Sequence, residues 1–297
     1  MPNQKTRLGK RHRSRFDRCQ KRCDAHTRGR RTGDHMSDIT ITRHGRIATV
    51  SFDRGTPANP LSIGLMRDLT AVARSFEDDA TLSAVVLTGR ADNFCLGFDL
   101  RDSQTQALQQ IPLAERRLAV QAGTRMCRAW EGIEALTIAA IDGWCVGGGV
   151  ALAVSLDLRI AAHSSTLYVP EVERGLNMSW GAIPRITNLI GPARAKRLIV
   201  LAEQVNATQA EHWGLVDGVA PDGAVQAAAQ VMAERAAALP PVAVRMCKQG
   251  INAYANALAP LATHSDFDQF ALAHASADAA EGIAAFLQKR DPKFSGD

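Results

Sequence analysis

The sequence predicts an α/β fold followed by a helical C-terminal region, on three observations. Apolar runs of strand length at residues 83–88 and 136–141 alternate with stretches of helical spacing. Each run is followed within a few residues by a glycine-punctuated segment, 93–100 and 142–152. From Gly181 onward the apolar spacing is helical almost throughout.

Taken in order, residues 39–42 and 46–52 alternate around His44 and Gly45, which predicts a hairpin. Residues 61–76 have helical spacing. Ser62 is the expected N-cap, because its hydroxyl can accept an orphan backbone N–H. The strand at 83–88 comes next, then a long amphipathic helix over 112–133, the strand at 136–141 and a helix opening after Gly147. Residues 158–161 and 166–169 read as short strands. Helices are expected at 181–190, 192–203, 207–212, 222–238, 240–256, 262–275 and 278–289. This divides the chain into a basic tail (1–35), a core (36–230) and a helical C-terminal region (231–297).

The chain has 297 residues, 46% of them apolar and 22% charged, which suits a globular protein with a substantial core. No uninterrupted apolar stretch approaches the roughly 18 residues of a helical membrane span, and no secretory signal is evident. The net charge of +5 belongs to the tail. Residues 1–35 hold twelve Lys or Arg against three Asp, a surplus of nine, so the rest of the chain carries about −4. With almost no apolar periodicity, the tail reads as disordered. Three readings compete for it: a start assigned too early, with Met36 the native one; a nucleic-acid or localisation arm; and a transit peptide, although it lacks an apolar face. Cys19, Cys23, His26 and His35 are too irregularly spaced to predict a metal site. Cys95, Cys127, Cys145 and Cys247 sit in apolar contexts, so reduced thiols in the cytoplasm are expected.

G-x-G-x-x-G, Walker A, H-E-x-x-H and G-x-S-x-G patterns are all absent, which argues against a dinucleotide enzyme, a P-loop NTPase, a zincin and an α/β-hydrolase. Aromatic residues make up only 5%, too few for a base-stacking platform, so a nucleic-acid partner is not expected for the body. The informative feature is the triplet Gly147, Gly148, Gly149 opening an apolar helix. No side chain blocks approach to its backbone N–H groups, and the helix dipole points there. Two such amides from two loops can hold a developing oxyanion.

Four blocks then resemble the crotonase superfamily of enoyl-CoA hydratases and isomerases. They are Leu87-Thr88-Gly89 with Phe94 to Leu100; Ile141 to Leu152 with Asp157 to Ala161; Pro170-Glu171 to Leu176 with Pro184, Arg185 and Gly191; and Glu281 to Arg290. The resemblance implies a spiral of ββα turns with a helical trimerisation region, assembled as a homotrimer or hexamer. It implies an acyl-CoA ligand whose coenzyme A is part of the substrate, with no other cofactor and no metal. It places the thioester carbonyl between the amides of Phe98 and Gly148, with Gly97 and Gly147 lining the approach. The backbone of Cys95 and Leu96 is the family's place for adenine, and Arg54, Arg101 and Lys289 are candidates for the phosphates.

Hydratases of the family use two glutamates. The resemblance puts one at Glu171 and the other at Ala151, which cannot carry a proton. A Δ3,Δ2-enoyl-CoA isomerase needs a single base, so one glutamate fits isomerase-like chemistry. Ser179 and Trp180 stand where hydratases have small residues. They are expected to line the substrate pocket, with Trp180 restricting it. Asp99 is expected to cap a turn, and Glu173 to pair with Arg174 or Arg185. Hydration, decarboxylation, thioester hydrolysis, dehalogenation, or a non-catalytic binder of acyl-CoA or nucleic acid are the alternatives.

Overall fold

The two apolar runs pair with each other and set the sheet. The computed structural model describes residues 38–297, so the basic tail with Cys19 and Cys23 lies outside the described residues. The hairpin is β1 (Ile39–His44) and β2 (Ile47–Phe52), and the runs are β3 (Ala84–Thr88) and β4 (Leu136–Ile141). With β6 (Leu158–Ala162) and β9 (Gly218–Ala220) they form a six-stranded sheet of order β1-β2-β3-β4-β6-β9. Only β1 is antiparallel to its neighbour. A small second sheet joins β5 (Trp144–Val146), β7 (Thr166–Tyr168) and β8 (Val205–Asn206).

β3 and β4 are apolar throughout because both sheet faces are buried. Val85, Leu87, Ala139 and Ile141 enter the larger core with Phe52, Leu69 and Trp130. Ala84, Val86, Ile138 and Ala140 face a second core. Helix α1 (Ile63–Ser75) packs on the larger-core side, with the Ser62 hydroxyl accepting from the Leu65 N–H at 3.1 Å as expected. Two short helices follow, α2 (Ser103–Ala107) and α3 (Leu113–Val120), then α4 (Ala122–Gly132), which lies against α1. The single long helix expected over 112–133 is therefore two. They separate at Gln121 because their faces do different work: α4 buries Met126, Cys127 and Trp130, whereas α3 buries only Ala119.

Beyond β5 come α5 (Gly148–Ala153), α6 (Ala182–Ile199) and α7 (Ala207–Trp213). Gly191, with φ 76° and ψ 163°, breaks α6 just before Pro192, where two helices were expected. Helix α8 (Val225–Ala237) covers the second core through Val225, Ala229, Ala233 and Ala236. The boundary expected at 230/231 falls inside this helix, whose small residues dock it to the sheet. The helical region begins with α9 (Pro241–Ala255) and continues as α10 (Ala259–Thr263), α11 (Asp266–His274) and α12 (Ala277–Gln288). α9 is pinned to the core by Lys248. Its ammonium lies 2.6 Å from Asp157 Oδ2 and donates to the carbonyls of Ile133 and Ala135. Among the described residues, no helix is long and apolar enough to cross a membrane.

Candidate active site

Two loops are drawn together by backbone pairing. Cys95 N–H donates to the Trp144 carbonyl at 3.1 Å, and Val146 N–H donates to the Cys95 carbonyl at 2.9 Å. A third tie comes from Leu61, whose N–H donates to the Gly97 carbonyl and whose carbonyl accepts from Asp99. That parallel bridge uses the groups on either side of Phe98 and turns the Phe98 N–H away from it. Gly148 is the first residue of α5, so its N–H has no acceptor inside the helix. Gly97 has φ 94°, and a Cβ built on it would lie 3.0 Å from the Val146 carbonyl and 3.6 Å from the Gly148 nitrogen. The two amides singled out in the sequence therefore come from loops in direct contact.

Each glycine of the triplet makes room for a different neighbour. A Cβ on Gly147 would sit 2.5 Å from Glu171 Oε1, one on Gly148 2.6 Å from the Trp180 indole, and one on Gly149 2.8 Å from the Cys95 carbonyl. Glu171 does not continue a strand. It leads a 3-10 turn, Val172–Arg174, and its carbonyl accepts from Arg174 N–H and Leu176 N–H. The residue as a whole is half-buried, but Oε2 is sealed and has no hydrogen-bond partner among the described residues. Desolvation pushes this carboxyl up from 4.5 to about 7, against smaller opposing effects of its own backbone and of Arg174. A carboxyl with that affinity can both take and return a proton near neutral pH.

Trp180 holds φ 59°, a left-handed conformation unusual for a bulky residue. Its indole packs directly on Gly123 of α4 and Gly148, with Phe98 edge-on at 6.2 Å. Arg185 fixes the loop: it donates to the Trp180 carbonyl and forms a two-pronged pair with Glu131 at 2.8 Å. A cavity of about 600 Å3 opens beside these groups. Its outer walls include Leu108, Leu113 and Val120, faced by Phe267 and Phe270 of α11. A hollow of about 700 Å3 near Glu281, Arg290 and Lys293 is open to solvent, remote from the glycine loops and self-paired in charge, so it is no part of this site.

Glu171, Phe98, Gly148, Gly97, Gly147, Leu96, Ser179 and Trp180 all line the cavity. So does Ala151, the position to which the resemblance assigned a hydratase's second glutamate. Cys95 does not: it is fully buried, both backbone groups are spent on the bridge, and burial pushes its thiol up to about 12. Arg54 is not at the cavity either. It pairs with Asp38 and Asp99, and Asp99 Oδ1 also caps the turn through Arg101 N–H. Lys289 is an exposed helix cap and does not line the cavity; Arg101 is exposed and does not line it either. Glu173 takes neither expected arginine: the Tyr168 hydroxyl donates to it, and Arg185 is held by Glu131. No cluster of potential metal ligands occurs among the described residues.

Sequence reasoning missed the α11 wall, and it missed Arg174 and Asn177, which also line the cavity. Nothing in local spacing links Phe267 to Glu171. Gly175 and Gly282 carried a faint signal. A Cβ on Gly282 would lie 2.6 Å from the Arg174 backbone, and one on Gly175 2.6 Å from Ala279 N, so α12 docks on the Glu171 turn backbone to backbone.

The profile of the enoyl-CoA hydratase/isomerase family matches residues 42–297. A probable enoyl-CoA hydratase from Mycobacterium bovis is 30% identical over 261 residues, covering 86% of this chain and 97% of that protein. An enoyl-CoA isomerase/hydratase from Mycosarcoma maydis is 32% identical over 272 residues, covering 89% and 96%. The crystal structure of carnitinyl-CoA hydratase from Mycobacterium avium superposes with a TM-score of 0.76 at 30% identity, covering 88% and 99%.

Proposed function

The chain belongs to the enoyl-CoA hydratase/isomerase family, and from that premise we propose that it shifts a double bond along an acyl-CoA thioester, with Glu171 as the sole proton carrier. The thioester oxygen is held by the N–H groups of Phe98 and Gly148. Ionised Glu171 takes a proton from C2 of a 3-enoyl-CoA, and the electron pair moves onto the carbonyl oxygen. The resulting dienolate is stabilised by the two amides, a contribution of several kcal/mol in oxyanion holes generally. Protonated Glu171 then delivers the proton to C4, leaving a 2-enoyl-CoA. One proton leaves and one returns, so no second carboxylate and no water is consumed.

The observation that carries this reading is the composition of the cavity wall: one carboxyl raised to about 7, at Glu171, and only a methyl at Ala151. Hydration of a 2-enoyl-CoA is the second reading, favoured by the hydratase names of the relatives from Mycobacterium bovis and Mycobacterium avium. The purified chain is given 3-enoyl- and 2-enoyl-CoA esters, and the conjugated-enone absorbance is followed. Growth of that absorbance from the 3-enoyl ester is expected; loss of it from the 2-enoyl ester alone would establish hydration instead. Glu171→Gln is expected to lower turnover about 10²–10⁴-fold, the usual weight of a proton-transfer group, while acyl-CoA binding survives.

Coenzyme A enters as part of the substrate, with its adenine end beside Leu96, which lines the cavity and is exposed. The helical region serves self-association as a homotrimer or hexamer. Tyr254, Leu258 and Leu261 are 89%, 73% and 78% exposed, an apolar face that a second copy would cover.

A further inference from the structure

Arg174 stands out at the cavity wall. Its backbone N–H donates to the Glu171 carbonyl at 3.0 Å, which places it one short turn from the proton carrier. Its side chain lies 4.2 Å above the Phe286 ring of α12. Nε is sealed from solvent with no hydrogen-bond partner, and the guanidinium forms no hydrogen bond or ion pair with any described residue. No carboxylate lining this cavity forms an ion pair with it. Glu173 is taken by Tyr168, and Asp266 accepts from Gly181 N–H. Arg174 lowers the Glu171 carboxyl only weakly against the larger effect of burial, and the two side chains form no ion pair. A half-buried guanidinium with no direct ion pair or hydrogen bond is costly unless a ligand supplies one. Stacking on Phe286 fixes its plane, and a fixed guanidinium fork suits a carboxylate.

Asn177 adds an independent sign in the same loop. Both its Nδ2 and Oδ1 are buried without partners, and the residue lines the same cavity. A purely hydrocarbon acyl group would leave all of these polar groups unsatisfied.

On the acyl-CoA reading given above, we infer that the site selects acyl groups bearing a carboxylate, which Arg174 receives and Asn177 Nδ2 supports. The anion could instead come from the phosphates of coenzyme A. Arg174 follows Glu171 by one 3-10 turn and lines the same cavity, which favours the acyl carboxylate.

Calorimetric binding of two unreactive esters separates the sources: glutaryl-CoA, which carries the carboxylate, and pentanoyl-CoA, which does not. The wild-type chain is expected to prefer glutaryl-CoA by about tenfold or more, the usual worth of one charge-assisted pair. Arg174→Met is expected to abolish the preference, and Arg174→Lys to retain part of it. Thermal melts confirm that each variant folds. Equal weakening of both esters by Arg174→Met would assign the residue to the phosphates and overturn the inference. So would a wild-type chain that binds the two esters alike. Binding of neither ester would instead remove the acyl-CoA reading beneath it.

Discussion

At the level of single residues, the proposed chemistry would make Glu171 couple activity to stability. Its carboxyl sits at about 7 in the fold and at the ordinary 4.5 when unfolded. Only the ionised form can take a proton, so kcat/KM for a 3-enoyl-CoA should rise with pH through about 7 and then level. A profile flat between about pH 5 and about pH 8 would exclude this group as the base. Stability runs the other way. Between 4.5 and about 7 the folded chain holds a proton that the unfolded chain has released, so folding weakens as pH rises through that window. The loss is at most about 3 kcal/mol on one group. Glu171→Gln should therefore flatten the pH dependence of the denaturation midpoint and leave the variant the more stable of the two near pH 8. A variant that stayed as pH-sensitive as the parent would show that the carboxyl is solvated. Trp180 illustrates a limit of sequence reading at this scale. Its bulk next to the glycine triplet was legible, but its left-handed backbone and its perch on Gly123 were not, because Gly123 is 57 positions away in the numbering.

At the level of elements, contacts between helices decide the shape of the site. A Cβ on Gly123 would overlap the Trp180 indole, so Gly123→Ala should either displace the ring or destabilise the fold by about 1–3 kcal/mol. The change should appear as a shifted tryptophan emission together with a lower melting temperature; an unchanged spectrum and melt would mean that α4 and the indole are not in contact. Lys248→Met would strand Asp157 beneath α9, although Asp157 keeps its bonds from the Thr137 N–H and hydroxyl. A loss of about 3 kcal/mol is expected in denaturant titration, the range for half of a buried pair. Strand and helix positions in the core were readable because burial on both sheet faces writes continuous apolar runs, as in 84–88 and 136–141. The turn at 172–174 was not readable. Val172 and Glu173 alternate as a strand would, and only Gly175, at φ 67°, hints that the chain turns back. The strands β8 and β9, of two and three residues, are too short for a period-two pattern to register.

At the level of the whole molecule, the apolar surface of α9 to α11 is the feature a lone chain leaves unresolved. Tyr254, Leu258, Leu261 and Leu272 are each more than 70% exposed, and a protein with that much apolar surface is expected to associate. Light scattering should report a mass of three or six chains. Leu258→Glu with Leu261→Glu should shift it to smaller species, and a wild-type chain that runs as a monomer at micromolar concentration would refute the assignment of this face. The family blocks made the core and its two glycine loops legible from sequence, whereas the C-terminal helices contributed cavity walls that only packing reveals. One consequence follows from α12 resting on the Glu171 turn through Gly175 and Gly282, with no side chain as a cushion. Any handle, fusion or proteolytic nick that lifts the final helix should let solvent reach the carboxyl and return its acidity toward that of a free glutamate, which on the proposed chemistry would make the rear of the protein a rheostat on turnover.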